Sequence, residues 1–332
     1  NAQTRLLEVD YALLDKIDIW FYADSTLISE LHLGDSMPFE QRPIRHEKFI
    51  FPVPATDQSL TVVIKVQSDG TLRLPIRLWE KDTFLVFNGE HSVVMGLFFG
   101  FMMAMALSNL FFFVTTRSLT FLSYCGYVVC LALTLATLHG LGYKYLWPEN
   151  LWLQSRSVGI FGSGTLLFAL IFSNQLLDVQ HNSRILYRAL KVFTYVMLVA
   201  TVLSLLIPYF IFIKLFLPLL SAGVLLIYTV GVLLWYKGIK LARFYTIAWT
   251  ALLVSGFVAS LDNWNLISFD TPSHYLLIFG ATVETFLLAL ALALSYSHQR
   301  QQMFDSQESA LQQERMAREA QEDILKVKEE AR

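Results

Sequence analysis

The sequence predicts an α-helical membrane protein, in which a bundle of seven transmembrane helices follows an N-terminal all-β sandwich and precedes a charged C-terminal helix. Three observations support this fold class. The 332 residues are 55% hydrophobic and 16% charged, whereas a typical soluble domain has about 25% charged residues. Few charged residues lie within residues 92–297, and most lie in the two ends of the chain. Period-two alternation precedes the apolar middle, and a run of strong helix formers follows it.

We expect three regions along the chain. Residues 1–88 form an extracytoplasmic β-sandwich, residues 89–297 form the membrane domain, and residues 298–332 form a cytosolic helix. The chain has neither an initiator methionine nor a signal peptide, and its helical pattern continues to the last residue. We therefore expect it to be a fragment, with an incomplete sandwich at the N-terminus and a further domain missing after the C-terminus.

The N-terminal region has the alternation of half-buried strands. Three runs each place apolar side chains on one face, as is typical of a sheet packed on a core. The apolar positions are Ile17, Ile19 and Phe21; Leu60, Val62, Ile64 and Val66; and Leu72, Leu74, Ile76 and Leu78. Turn-forming residues separate these runs, at Leu33-Gly34-Asp35 and at Ser68-Asp69-Gly70. Together they indicate an all-β sandwich, for which 88 residues are few.

Five residues of this region are candidate ligand-binding residues. Trp20 and Tyr22 lie on the strand face opposite the apolar one, where aromatic rings could stack on a small ligand. The alternative is that they form a second core face between two sheets. Arg42, Arg45 and His46 lie in a polar loop that could bind an anion or could satisfy backbone groups.

Several classes of site are not expected. The net charge of −2 favours neither a nucleic-acid surface nor an acidic tail. Cys125 and Cys130 are five residues apart and face different sides of a helix, so neither a disulfide nor a metal pair is expected. The spacing of His32, His46 and His91 fits no short metal motif. The sequence predicts no metal site, no cofactor and no catalytic residue.

Seven apolar runs are long enough, or nearly so, to cross about 30 Å of hydrocarbon, which takes about 20 helical residues. The runs are Ser92–Val114, Ser118–Leu138, Ser157–Leu177, Val192–Ile207, Ile211–Tyr236, Phe244–Leu261 and Tyr275–Ser297. The fourth and fifth runs form one stretch whose only charge is Lys214. Pro208 lacks an amide hydrogen and clashes with the preceding turn, so we expect a reversal near Pro208–Lys214 instead of one long helix.

The positive-inside rule gives the orientation of the bundle. Eight basic residues lie in loops on the C-terminal side, namely Arg117, Arg184, Arg188, Lys191, Lys237, Lys240, Arg243 and Arg300. Three lie in loops on the N-terminal side, namely Lys144, Arg156 and Lys214. This places the C-terminus in the cytosol and the N-terminal region outside. Aromatic residues mark the outer boundary, at Tyr143, Tyr145, Trp147, Trp152 and Trp264.

Glu284 is the one acidic residue within the predicted spans, and it lies near the middle of the last one. A charged carboxylate there costs about 2.5–3.5 kcal/mol on insertion scales, so we expect it to face the bundle or to be protonated. It could be a latch or a protonation switch, or it could form a neutral hydrogen bond between helices. Asn109 and Ser108 in the first span are further candidates for such bonds.

The C-terminal region from Ser297 to Arg332 contains charged residues and strong helix formers, without glycine or proline. A seven-residue repeat, typical of a coiled coil, links Met303, Ala310, Ala317 and Ile324. A competing repeat, displaced by one residue and interrupted by Arg318, links Phe304, Leu311 and Leu325. The helix could be a solvated extension of the last span or a dimerising signalling helix that transmits movement.

Several separated strings occur in a consistent order. In the N-terminal region they are Pro38-Phe39, Arg42-Pro43-Ile44, His46, Phe49-Ile50-Phe51-Pro52 and residues 72–79. In the membrane region they are Gly96 with Gly100 and Asn109, Gly140-Leu141-Gly142-Tyr143, Tyr145-Leu146, Trp147-Pro148, and Glu284 followed by residues 287–293. With these strings the chain resembles the bacterial seven-transmembrane receptors with diverse intracellular signalling modules, including their type-2 extracellular domain.

The resemblance implies a sensor in the bacterial inner membrane. Its jelly-roll domain, similar to carbohydrate-binding modules, would bind a periplasmic small molecule or carbohydrate, and the helices would relay binding. The implied output is a histidine kinase or a diguanylate cyclase, hence two-component or cyclic di-GMP signalling. No such signature follows Ser297, so we expect this chain to catalyse nothing. The expected partners are the lipid bilayer, a second copy through the C-terminal helix, and, as a further candidate, another sensor kinase.

Other membrane proteins fit the sequence less well. A retinal protein needs a lysine in the last span, and Tyr275–Ser297 has none. A secondary transporter favours several intramembrane ionisable residues and inverted repeats. An intramembrane hydrolase would need a base near Ser163, but His139 lies at a membrane boundary. A secondary transporter or a membrane assembly protein without signalling output is the alternative to a receptor.

Overall fold

The computed structural model describes the backbone of residues 5–70, 72–263 and 274–330. Within these ranges, the side chains of residues 263, 274, 317 and 319–330 are not described. Trp264, predicted to lie at the outer membrane boundary, is outside the described residues. The side chains of Ala317 and Ile324 are also outside them, although their backbone lies in the last helix.

The N-terminal region, which we call the head domain (residues 5–80), contains six strands. Their bounds are β1 Arg5–Val9, β2 Lys16–Ala23, β3 Thr26–Leu33, β4 Phe49–Pro52, β5 Leu60–Gln67 and β6 Ile76–Glu80. They form two three-stranded antiparallel sheets, β4-β1-β6 and β3-β2-β5. Leu7 and Val9 of the first sheet pack with Ile17, Ile19 and Phe21 of the second in one apolar core. The predicted N-terminal β-domain is therefore confirmed.

Strand β6 differs from the prediction, because its apolar face is not buried. Within the strand, Ile76 and Leu78 are 45% and 58% exposed. The opposite face is the occupied one: the Nε1 of Trp79 donates to Glu8 Oε2 at 2.6 Å, and Arg77 pairs with Asp10 at 3.5 Å. The ring of Trp79 also stacks on the ring of Phe87, at 5.0 Å between centroids. The apolar face of this edge strand points to the same side as the core, since Leu78 pairs with Leu7 and Ile76 with Val9, but both side chains stay more than 40% exposed.

Seven helices of the described chain are long and apolar enough to cross a membrane, which confirms the predicted number. Their bounds are α1 Lys81–Thr116, α2 Leu119–Leu138, α3 Leu151–Leu176, α5 Arg184–Leu206, α6 Tyr209–Tyr236, α7 Lys240–Asn263 and α8 His274–Glu330; the short α4 is Val179–Asn182. The predicted break between the fourth and fifth spans is present. Ile207 has an extended backbone, and Pro208 caps α6.

Two helices extend well beyond the apolar runs. Helix α1 begins at Lys81, the residue directly after β6, and has 36 residues, about 54 Å of helix. The boundary that we expected between residues 88 and 89 therefore lies inside this helix. Helix α8 has 57 residues, about 85 Å, and joins the last span to the C-terminal region without interruption.

Aromatic side chains fill the centre of the bundle. Tyr124 and Tyr127 of α2 are almost wholly buried, and the ring of Tyr124 lies 5.0 Å from that of Phe172 in α3. Tyr245 of α7 and Leu288 of α8 belong to the same core. Helices α2, α3, α7 and α8 thus enclose the interior in which Glu284 lies.

Candidate functional site

The head domain contacts the bundle through the loop before β4. Phe49 and Phe51 of this strand point into the sandwich core, whereas Ile50 packs on the opposite side, against Phe84 of α1. This alternation fixes β4 between the core and α1. The residues before the strand, His46 to Lys48, are consequently held against the outer end of the helices. We call this contact, with His91 of α1 and Lys144 of the loop after α2, the junction.

Glu47 lies at the centre of the junction, and its side chain is only 3% exposed. Its Oε2 accepts a hydrogen bond from Lys144 Nζ at 2.8 Å. Its Oε1 lies 3.6 Å from Nε2 of His46 and 3.6 Å from Nε2 of His91. A single carboxylate of the head domain therefore meets both α1 and the α2–α3 loop.

The charge of Glu47 is compensated within the junction. Burial acts to raise the pKa of Glu47, but the neighbouring His46 and Lys144 outweigh it and lower that pKa to about 2. Burial also lowers the pKa of His46, so its ring is neutral near pH 7. Lys144 is thus the positive charge that balances Glu47, and the pair is kept away from water.

Arg42 fixes the backbone that carries Glu47. Its buried guanidinium donates to the carbonyl oxygens of His46 at 2.8 Å and of Glu47 at 3.0 Å. It also lies over the rings of Phe39 and Phe49, at 4.7 and 4.4 Å from their centroids. Burial lowers the pKa of Arg42 to about 10, which leaves it charged at neutral pH. The position of the Glu47 carboxylate is therefore determined by stacking and by two charge-assisted hydrogen bonds.

The α2–α3 loop packs against the side of the head domain that faces the membrane domain. The Oη of Tyr143 donates to the carbonyl oxygen of Met37 at 2.6 Å, and the Tyr143 ring contacts Phe39 edge-on. Gly140 has a φ of +75°, and a Cβ there would lie 2.5 Å from the carbonyl oxygen of Glu47. Glycine is therefore required at this position both for its left-handed backbone and for its close approach to the head domain.

The junction also reaches the last helix. Nδ1 of His91 forms a hydrogen bond of 2.6 Å with Oη of Tyr275, at the start of α8. Because Nε2 of the same ring faces Glu47, the imidazole of His91 lies between the head domain and α8. The positions of the head domain, α1 and α8 are thus connected through one buried side chain.

A second polar cluster lies in the middle of the bundle, around Glu284. The Oη of Tyr127 donates to Glu284 Oε1 at 2.8 Å, and Thr285 Oγ1 lies 3.4 Å from Oε2. The Oη of Tyr124 donates to the backbone carbonyl of Thr285. Glu284 is fully buried, so it faces the bundle interior. Asn109 is also buried, but its amide donates at 2.8 Å to Met105 O of its own helix.

Two family models match the chain. Residues 91–295 match the model described as 7TM diverse intracellular signalling, and residues 1–80 match the model described as 7TMR-DISM extracellular 2. The chain belongs to the 7TM diverse intracellular signalling family. No curated protein and no solved structure matches it. The resemblance seen in the sequence is confirmed: the chain is a multi-pass membrane receptor of a signalling family, with an extracellular sensing domain.

The five candidate ligand-binding residues of this 7TM receptor lie in three places. Trp20 and Tyr22 are half-buried on the face of the second sheet that points away from the core. Arg42 and His46 are buried in the junction, where His46 Nε2 also bonds Asn88 Oδ1 at 2.8 Å. Arg45 is exposed and pairs with Glu40 at 3.0 Å. The structure does not bring these five residues together into one site.

The sequence did not indicate the junction of this 7TM receptor. Glu47 and Lys144 are 97 residues apart, and neither lies in a motif with a fixed spacing. The spacing of His91 from the other histidines does not indicate its role in the junction either. The available signal was the string Gly140-Leu141-Gly142-Tyr143, in which Gly140 and Tyr143 contact the head domain.

Another contact between the head domain and the helices of the receptor surrounds Asp35. A cavity of about 260 Å3 lies here, with Asp15, Asp35, Gln154 and Tyr209 in its wall. Burial and the nearby Asp15 raise the pKa of Asp35 to about 7, against the smaller opposing effects of Gln154 and Arg42. In the docked head domain, the carboxyl group of Asp35 therefore binds a proton more tightly than a solvent-exposed aspartate does.

We expect this proton to make docking depend on pH. Because the folded pKa of Asp35 is raised, its stabilising contribution is complete below the ordinary pKa near 4 and is lost as the pH rises through 7. One pKa unit corresponds to about 1.4 kcal/mol. Partial access of solvent reduces the total, so we expect a loss on the order of 2 kcal/mol between pH 5 and pH 8.

Thermal unfolding at several pH values in detergent tests this dependence. The variant Asp35→Asn should be more stable than the wild type at pH 8 and should show a flatter pH profile. Asp57→Asn, at an exposed carboxylate of the same domain, should leave the profile unchanged. Parallel pH profiles for Asp35→Asn and the wild type would contradict the assignment.

We expect the cluster at Glu284 to be sensitive to loss of a single hydroxyl. Tyr127→Phe removes a hydrogen bond to a buried carboxylate, which should lower the free energy of unfolding by about 1–3 kcal/mol in an SDS titration. Tyr228→Phe is the matched control, because its hydroxyl lies 3.3 Å from that of Thr250 in a neutral, partly buried pair. If both variants lose the same stability, the carboxylate has no special role.

Proposed function

We propose that this receptor senses a periplasmic small molecule or carbohydrate with its head domain and passes the binding event to a cytosolic output domain. The proposal assigns the membrane to the bacterial inner membrane, with the head domain in the periplasm and the C-terminus in the cytosol. The bias of basic residues toward the C-terminal loops supports this orientation. The proposed output is a histidine kinase or a diguanylate cyclase.

The observation that carries the proposal is the position of His91 between Glu47 and Tyr275. Its two ring nitrogens face a carboxylate of the head domain, at 3.6 Å, and a hydroxyl of α8, at 2.6 Å. A displacement of the head domain would break buried polar contacts unless α1 and α8 moved with it. Such contacts are costly to leave unpaired, so a joint movement is favoured.

Helix α8 supplies the second step of the proposed relay. It contains Tyr275 at the junction and Glu284 in the bundle centre, and it continues through Met303 and Ala310. A helix without breaks transmits rotation or translation along its axis with little loss. We propose that ligand binding changes the packing around Glu284 and, through it, the register of the C-terminal helix.

We also propose that two copies of the receptor pair through this helix. The heptad of Met303, Ala310, Ala317 and Ile324 supports pairing. Met303 of this repeat is 64% exposed in the single chain. A coiled coil would cover it, and it would give the output domains a dimeric arrangement. Another sensor kinase is a second candidate partner for the same helix.

Cross-linking in bacterial membranes tests the relay without a known ligand. In a chain whose Cys125 and Cys130 are replaced by alanine, Met303→Cys and Ala310→Cys should form disulfide dimers. The control positions Gln301→Cys and Glu308→Cys lie about half a helical turn away and should form fewer. This difference would identify the paired face of the helix.

The relay itself predicts that a change at the junction alters this cross-linking. Adding Glu47→Gln should shift the ratio between the two faces by at least about threefold, since a shift of roughly 0.7 kcal/mol in a helix equilibrium suffices. Glu40→Gln, at an exposed carboxylate of the same loop region, is the control and should leave the ratio unchanged. Identical patterns for Glu47→Gln and Glu40→Gln would disprove the relay.

A further inference from the structure

The membrane domain contains a cavity that the proposed relay does not use. It lies between α1 and α2. Its volume of about 460 Å3 is within the usual range of about 300–1,000 Å3 for ligand pockets. The wall of the cavity is almost entirely apolar, except at the end near the head domain, where Glu47, His91 and Lys144 lie. Residues at the two ends of the wall include His91, Lys144, Met102 and Ala106.

We propose that this cavity binds a long-chain carboxylate, a fatty acid, with its chain between α1 and α2 and its carboxylate at Lys144. This would be a second ligand site, formed mainly by the membrane domain. It goes beyond the proposed sensing of a periplasmic ligand and does not depend on it.

The dimensions of the cavity fit one acyl chain. From His91 to Ala106 its wall follows about 22 Å of α1. One leaflet of the hydrocarbon core is about 15 Å thick, so the cavity is long enough to cross a leaflet. Met103 and Val129 in the wall are 63% and 40% exposed, which places an opening on the surface that faces lipid.

The side chains that line α1 leave this space open. A Cβ at Gly96 would meet no atom within 4 Å, so the glycine itself accounts for part of the cavity. Met95, Met102 and Met103 form much of the remaining wall on α1. Methionine side chains are unbranched and adapt to the shape of an apolar ligand. A wall of this kind tolerates chains of somewhat different length.

The polar end offers hydrogen-bond donors of Lys144 to one carboxylate head group. The ammonium of Lys144 has three donors, one of which bonds Glu47 Oε2, and its side chain is only 17% exposed. It can donate to a ligand carboxylate while it keeps this bond. A phosphate group would bring more negative charge beside Glu47 and is disfavoured. The small volume likewise favours one acyl chain over the two chains of a phospholipid.

An occupant of the cavity would contact all three parts of the junction. Glu47 of the head domain, His91 of α1 and Lys144 of the α2–α3 loop all belong to the wall. A bound carboxylate would share the ammonium of Lys144 with Glu47. The site is therefore placed where lipid composition could change the coupling of the head domain to the helices.

Photolabelling of the full chain in phosphatidylcholine nanodiscs tests the site. The probe is palmitic acid that carries a diazirine, and unlabelled palmitic acid is the competitor. Labelling should map to residues 91–106 and 129–146, and excess palmitic acid should displace it at least tenfold. Hexadecanol, which has the same chain without the charge, should compete at least tenfold less well.

Variants that fill the cavity provide the decisive comparison. Gly96→Leu should reduce labelling at least tenfold. Gly89→Leu is the matched control, because a Cβ there is also unobstructed but lies outside the cavity wall, and it should label like the wild type. If Gly96→Leu fails to fold, Ala132→Leu fills the same space from α2.

Three results would overturn the proposal. The first is equal labelling of the cavity-filling and control variants. The second is equal competition by hexadecanol, which would show that the carboxylate is not recognised. The third is stronger labelling of the same residues by a diazirine-bearing phosphatidylcholine, which would assign the cavity to bulk phospholipid. Because the readout is binding and not signalling, none of these outcomes depends on the relay.

Discussion

Replacement of Glu47 by alanine is expected to destabilise the docked head domain by about 3–5 kcal/mol, because Lys144 would then be left in a buried position without its carboxylate. The effect should appear as a lower midpoint of thermal unfolding. It should also appear as faster proteolysis within residues 76–90, where the head domain joins α1. Glu47→Gln, which keeps an acceptor oxygen but not the charge, should lose less stability than Glu47→Ala.

The control for this prediction is Glu40→Ala. Glu40 pairs with Arg45 at 3.0 Å, but both side chains are more than half exposed, at 58% and 67%. Exposed ion pairs contribute about 0–1 kcal/mol, so the loss here should be small. A loss at Glu47 no larger than that at Glu40 would show that the junction does not hold the head domain.

Gly140→Ala is expected to separate the head domain from the bundle. The substitution forces a Cβ to within 2.5 Å of the carbonyl oxygen of Glu47 and 2.8 Å of the Cβ of Ala12. The backbone of Glu47 cannot move away without breaking the hydrogen bonds that Arg42 donates to the carbonyl oxygens of His46 and Glu47. We expect undocking, measured as increased proteolysis at residues 76–90 and a loss of several kcal/mol of stability.

Gly238→Ala separates this clash from backbone strain. Gly238 also has a left-handed backbone, with a φ of +86°, but a Cβ there would meet nothing within 4 Å. It should therefore show the cost of a left-handed alanine alone, about 1–2 kcal/mol. The difference between the two variants measures the close approach of the loop to the head domain. Equal losses would mean that Gly140 matters only for its conformation.

The features that follow from local composition could be predicted from the sequence. A helix must present about 20 apolar residues to cross hydrocarbon, so the seven spans are visible one at a time. The break at Pro208 follows from the chemistry of a single residue. The burial of Glu284 could also be predicted, because a carboxylate within an apolar span is costly in contact with lipid and therefore faces the interior of the bundle.

The junction could not be predicted in this way, because it depends on residues that meet only in the folded chain. Nothing near Glu47 in the sequence indicates that Lys144 will lie 2.8 Å away. Strand β6 shows the same limit on a smaller scale. Its alternation predicted a buried leucine face, but Leu78 is 58% exposed although it lies on the core side of the sheet, and Trp79 on the other side packs against Phe84 and Phe87 of α1. A period of two identifies two faces but does not say what will cover each.

The candidate ligand-binding residues show why residue type alone is a weak guide to role. Arg42 and His46 looked like anion ligands because they are polar and lie in a loop. In the fold, Arg42 bonds the backbone that carries Glu47, and His46 bonds Asn88 of α1. The same donors that would bind a ligand thus satisfy buried groups of the protein itself.

Strand β6 continues directly into α1, so no flexible linker joins the head domain to the first span. The strand ends at Glu80 and the helix begins at Lys81, so no loop separates the sheet from the first span. Membrane helices answer a change in bilayer thickness by tilting. A tilt of α1 would therefore move β6 with it, and we expect the thickness of the bilayer to influence the position of the head domain.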